Sequence, residues 1–153
     1  VRVGGKWKYL FRAVDKHGQL IDFMLSDRRN SRAAYRFLHR AVKTMSGYPP
    51  SSITTDKLAS CPKAIGRLQN ERQLPEAVVH RTSKYLNNII EADHGALKRV
   101  IGPTRGFQVM KTARATIKGF DVMQMIRRGH CPLTQPGVTG EIRLINKLFG
   151  IAT

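Results

Sequence analysis

Residues 7–14 alternate. Tyr9, Phe11 and Ala13 are interleaved with Leu10, Arg12 and Val14 in a run rich in aromatic and β-favouring types, which predicts a strand. Asp15-Lys16-His17-Gly18 reads as its turn, and Leu20-Ile21-Asp22-Phe23-Met24-Leu25 as a second strand, so the two predict a hairpin. Val1 to Val3 read as the end of an earlier strand. From Ser31, the expected N-cap, the period lengthens: Ala34, Phe37, Leu38, Ala41 and Val42 share one helical face, and the helix is expected to end near Gly47, before Tyr48-Pro49-Pro50.

Beyond that loop the same two periods recur. Ser51-Ser52-Ile53-Thr54-Thr55 is a short β-branched run that fits a buried strand, residues 63–68 a short helix, and Ala77-Val78-Val79-His80 another short strand. Residues 88–101 carry Ile90, Leu97, Val100 and Ile101 as an apolar helical stripe. Residues 110–128 predict a longer helix, with Arg127 and Arg128 in its last turn and Gly129 as a left-handed stop. Residues 132–140, with two prolines and two glycines, read as a linker before a short terminal helix over 141–149. A strand meander followed by alternating helices and strands predicts an α/β fold, a mixed sheet flanked by helices.

Charge changes the picture more than composition does. The 153 residues and 41% hydrophobic content suit one ordinary globular domain, but 27 Lys and Arg stand against 10 acidic residues, a net charge of +17. Such an excess calls for a polyanionic partner, with nucleic acid first and an anionic membrane surface second. No stretch approaches the roughly 18 to 20 apolar residues that span a bilayer, so no membrane role is expected. Cys61 and Cys131 lack metal-site or disulfide-framework spacing and read as idle thiols, in keeping with a reducing cytoplasm.

Against that background two carboxylates stand out. Asp56 follows the run Ile53-Thr54-Thr55, at a strand end where open α/β sheets place ligands. Glu91 begins the later helix after 34 intervening residues, and the two could converge on a divalent cation, which prefers carboxylate oxygens. Taken alone, such a pair is more often two solvated charges. Lys98 lies seven residues after Glu91, two turns on and on the same face, with the small Gly95 between them leaving room for a DNA backbone. His94 could point to the same metal, although structural histidines are commoner. Arg99, Arg105, Lys111 and Arg114 follow as candidate phosphate contacts, and from Arg28 to Thr55 there are six basic residues and no acidic one.

These residues resemble a known family. Gly5-Lys6-Trp7-Lys8-Tyr9-Leu10-Phe11-Arg12-Ala13-Val14-Asp15, Thr55-Asp56-Lys57, and Lys84-Tyr85-Leu86-Asn87-Asn88-Ile89-Ile90-Glu91-Ala92-Asp93-His94 are similar to bacterial insertion-sequence transposases of the aspartate-aspartate-glutamate type, insertion-sequence family six. So are Gly106-Phe107 and Met125-Ile126-Arg127-Arg128-Gly129. The resemblance implies a ribonuclease-H-like, integrase-like catalytic core over 1–130, followed by a C-terminal linker and short helix over 131–153. It implies Asp56 and Glu91 as the second and third acidic residues of the triad, holding Mg²⁺ (or Mn²⁺), and Lys98 as a contact to the transposon end. The implied reaction is strand transfer of element ends into target DNA by a homo-oligomer, in the bacterial cytoplasm at the nucleoid.

One departure accompanies the likeness. The family's first catalytic Asp lies upstream of the strand ending in Val1-Arg2-Val3, so the first strand is expected to be incomplete, and Asp15 and Asp22 match non-catalytic positions. A chain beginning at Val rather than Met, in mid-strand, reads as a fragment, a processed product or a miscalled start. The expectation is therefore an enzyme whose activity as this chain is in doubt, with a non-catalytic DNA-binding remnant of the same fold as the alternative. A basic RNA-binding or ribosomal protein would account for the charge but not for the Asp, Glu and Lys spacing.

Overall fold

A computed structural model describes residues 1–45, 47–56, 59–83, 88–131 and 137–151, without the side chains of 88, 89 and 149. Lys57, residues 84–87 and residues 132–136 of the expected linker lie outside the described residues. The chain is mixed α/β, with five α-helices and small sheets among the described residues. It divides into two compact units, 1–113 and 114–153, so the expected core over 1–130 extends over part of both.

The first unit opens with two hairpins where the sequence predicts the end of an earlier strand at residues 1–3, an unbroken strand over 7–14 and a single hairpin. β1 (Arg2–Val3) pairs antiparallel with β2 (Lys6–Trp7), and the chain leaves the strand at Lys8 before β3 (Tyr9–Val14) pairs antiparallel with β4 (Leu20–Ser26). The interruption separates residues that belong to different ladders, which alternation alone cannot show. In the β3–β4 turn the Asp15 carboxylate accepts from the backbone N–H of His17 (2.8 Å) and of Gln19 (2.9 Å). These bonds replace ladder partners that the turn residues lack.

Helix α1 (Ser31–Thr44) starts one residue away from the expected cap. Asn30, extended at φ −125° and ψ 175°, accepts from Ala33 N–H at 3.0 Å, and Ser31 is the first helical residue. Either side chain could cap; the backbone conformation selects Asn30. The helix stops at Thr44, short of Gly47. Helix α2 (Ser60–Asn70) is longer than the stretch 63–68, because Pro62 falls in its first turn, where a missing N–H breaks no bond.

β5 (Ser52–Thr55) and β6 (Val79–Thr82) form a parallel pair around α2, with Ile53 opposite His80 and Thr54 opposite Arg81. Among the described residues the strands thus pair in three two-stranded ladders. Ala34, Phe37 and Leu38 of α1 meet Ala64, Ile65 and Leu68 of α2, with Leu74 and Val78, and Phe11, Met24 and Ile53 pack against this cluster. Burial of each large apolar side chain here contributes about 1.5–3 kcal/mol. The core therefore lies between the helix pair and the strands, and it fixes the ends of β3 and β5.

α3 (Asn88–Ile101) follows β6, and a 3₁₀ turn (Gly102–Thr104) leads to α4 (Met110–Arg127). α4 ends as its sequence predicts: Gly129 is left-handed at φ 69°, its N–H bonds Ile126 O at 3.0 Å, and His130 N–H bonds Met125 O at 3.0 Å. α5 (Val138–Phe149) begins inside the expected linker, three residues before Glu141. Among the described residues no helix is long and apolar enough to cross a membrane.

Candidate active site

A cleft of about 1340 Å³ opens in the first unit. Its walls include Asp56, Glu91, His94, Lys98 and Arg105, so four of the expected site residues and the candidate histidine share one cavity. Arg99 and Lys111 are exposed but do not line it, and Arg114 is exposed in the second unit.

Each wall follows from its local structure. Asp56 comes directly after β5 and is exposed. It is not bare: Arg29 Nη2 donates to its Oδ2 at 2.9 Å. On the neighbouring strand His80 Nε2 lies 2.9 Å from the Thr55 hydroxyl, tying β6 to the end of β5. Cys61 is buried near Asp56, and burial, then the Asp56 charge, pushes its thiol pKa up, which keeps it protonated and inert.

α3 presents two faces. Glu91 and Lys98 are exposed towards the cleft, whereas Asp93 and Leu97 are buried, each 2% exposed. Asp93 Oδ2 lies 3.4 Å from Arg12 Nη2 of β3, and both side chains are almost wholly buried. This ion pair docks the Glu91 helix on the β3–β4 hairpin. His94, between the two faces, has its Nε2 buried without a hydrogen-bond partner. Desolvation first, then the Arg12 and Lys98 charges, lowers its pKa, with Asp93 and Glu91 opposing.

The far rim is built by a close approach of backbones. Phe107 N–H bonds Arg2 O at 2.9 Å, Gly4 N–H bonds Phe107 O at 2.7 Å, and Val3 and Phe107 form a parallel bridge. Gly106 sits at φ 106°, and a Cβ there would lie 3.0 Å from Arg2 O, so only glycine fits. Arg105, left-handed at φ 53° beside it, also lines the cleft.

A family profile described as a DDE domain matches residues 1–130. The chain belongs to the DDE-domain transposase family. Two relatives from Staphylococcus aureus, the transposase for the insertion sequence-like element IS431mec and the transposase for insertion sequence element IS257 in transposon Tn4003, are each 37% identical over 122 residues. These matches cover 79% of the chain and 51% of either relative. An uncharacterised Yersinia pseudotuberculosis protein, pYV0051, is 47% identical over 72 residues, 46% of the chain and 67% of that protein. No solved structure matches. The DDE-domain chain thus spans about half the length of the staphylococcal transposases it matches.

The carboxylates of Asp56 and Glu91, on the wall of this cleft, are of the donor type that suits a hard divalent cation, and His94, which also lines it, has its Nε2 buried without a hydrogen-bond partner. Among the described residues no three His, Cys, Asp or Glu side chains gather closely enough to form a ligand group by themselves. Three contributors went unnoticed in the sequence. Arg29, which neutralises Asp56, was visible only as one of six basic residues in an acid-free run; Arg12 read as a strand residue; Trp7, on the same cleft, read as a strand start.

Proposed function

We propose that this DDE-domain chain carries the second and third acidic residues, Asp56 and Glu91, of a metal-dependent DNA strand-transfer site in a ribonuclease-H-like core. The observation that supports this most directly is that Asp56, Glu91, Lys98 and Arg105 line one cleft. Asp56 and Glu91 would hold Mg²⁺, or Mn²⁺ in its place. Bound there, the metal supplies activation of the attacking oxygen, from water or a DNA 3′-hydroxyl, and stabilisation of the leaving one. Lys98 and Arg105 bind phosphates and hold the strand across the cleft. Arg29, seated on Asp56, is placed to pass from carboxylate to phosphate when DNA and metal enter. Arg99, Lys111 and Arg114, all exposed, add sequence-independent backbone contacts. Joining two transposon ends to one target needs two such sites, which a homo-oligomer working on the bacterial nucleoid supplies.

The test is strand transfer of pre-cut transposon ends by a transposase in which this chain replaces the matching stretch of the staphylococcal relative. With Mg²⁺ or Mn²⁺, Asp56→Asn and Glu91→Gln should each lower strand transfer at least about a hundred-fold while leaving DNA binding within about two-fold, since each change removes a ligand with little change in shape. Full activity in either variant removes that residue from the catalytic set. A replacement protein that binds DNA and transfers no strand assigns the chain a binding role alone.

A further inference from the structure

Trp7 is the chain's single tryptophan, and it is 75% exposed. Tryptophan carries the largest apolar surface of any side chain and is ordinarily well buried, so an indole standing in water marks a contact surface. Its support is rigid. The β1–β2 turn runs through Gly4 (φ 54°) and Gly5 (φ 73°), the left-handed pair of a tight hairpin, and the hairpin backbone is bonded to Phe107. Val3 beneath it is buried. Arg2 faces Trp7 across the ladder, so both side chains leave it on the same side. Lys6 precedes the ring and is exposed, Lys8 follows it, and Tyr9, 46% exposed, comes next. Lys8 is bonded to Asp27, and that hydrogen bond first, then the charges of Lys8, Lys6 and Arg28, lower the Asp27 carboxyl pKa. Trp7 lines the same cleft as Asp56 and Glu91.

We infer that Trp7 is a stacking platform for an unpaired DNA base at the rim of the cleft, with Arg2, on the same side of the ladder, taking a flanking phosphate. The inference rests on the strand-transfer reading of the cleft and adds what form of DNA it accepts. A base offers its face to an aromatic ring only when it is not stacked inside a duplex, so the platform selects single strands and frayed ends. Cations beside the ring suit a polyanion. They oppose a second copy of this chain, which would bring another basic hairpin against the first within a molecule of net charge +17.

Because no other tryptophan contributes, the chain's own emission reports on position 7. Titrate the 153-residue chain with oligothymidylate and with a blunt duplex of equal length, following tryptophan emission together with the anisotropy of labelled DNA. Single strand should quench the emission along the same curve as the anisotropy, and duplex should bind with little quenching. Trp7→Ala should weaken single-strand binding about ten-fold and spare duplex binding, while Trp7→Phe retains most of the affinity. Unchanged emission while anisotropy reports bound single strand overturns the platform and leaves the strand-transfer reading standing. So does equal weakening of single-strand and duplex binding by Trp7→Ala. Emission that shifts with protein concentration in the absence of DNA assigns the ring to a contact between copies and likewise overturns the inference. Anisotropy showing no bound DNA of either form removes the platform and the DNA reading together.

Discussion

His94 illustrates how a single side chain reports on the cleft. Burial and the Arg12 and Lys98 charges hold its pKa below the ordinary 6.5, so the folded protein favours the neutral ring. A depressed folded-state pKa means that the unfolded chain takes up a proton first as pH falls. The associated stability is present above about pH 6.5 and is lost as pH drops through the folded-state value. The melting temperature of the parent should therefore fall below about pH 6.5 more steeply than that of His94→Gln. Circular-dichroism melts of both proteins across that range check this, and parallel curves would show that the ring titrates as it does in water.

At the scale of elements, the decisive feature is how α3 is held. The helix has to present Glu91 and Lys98 outward while Asp93 and Leu97 bury, and Arg12 of β3 sets its seat through the pair with Asp93. A buried ion pair adds little net stability over apolar packing, but removing one partner leaves an uncompensated buried charge. Asp93→Asn should accordingly destabilise the protein by about 3–5 kcal/mol in urea denaturation, whereas Arg12→Met combined with Asp93→Leu should recover most of that loss. A cost below about 1 kcal/mol for Asp93→Asn would mean that water reaches the pair. The outer faces of α1 and α2 are joined differently: Glu71 accepts from Tyr35 and from Arg67 Nε (2.7 Å), and Arg67 lies 4.2 Å from the Tyr35 ring centre. That cluster is exposed, so its contribution is small.

Over the whole molecule, charge outweighs any single contact. For the proposed DNA-binding role, the net +17 predicts an affinity driven by counterion release. The acid-free run from Arg28 to Thr55 contributes less than its six cations suggest, because Arg29 is paired with Asp56 and Arg40 with Asp22 (Nε to Oδ2 at 2.5 Å). If about five phosphates are neutralised, the logarithm of affinity should fall against the logarithm of salt with a slope of about −4.5, and Lys98→Ala should flatten it by about 0.9. Anisotropy titrations at several salt concentrations measure both, and a slope near zero would rule out phosphate contacts as the source of affinity.

Local pattern was enough for much of this protein. The β3–β4 hairpin, the buried face of α1, the Gly129 stop and the order of elements depend on neighbours within about four positions, and alternation or helical period records them directly. Asp56 at a strand end and Glu91, Gly95 and Lys98 along one helix were legible for the same reason. Chain packing decided the rest. Among the described residues it divided the strands into three ladders, set β5 and β6 in parallel, and chose Asn30 over Ser31 as the cap by the backbone path entering α1. It also brought Arg29 onto Asp56, sank Arg12 against Asp93, and left Trp7 in water at the cleft rim. None of these partners is near the other in sequence. Each is selected by which surfaces the core buries and which charges must then be compensated, and that is a property of the folded chain as a whole.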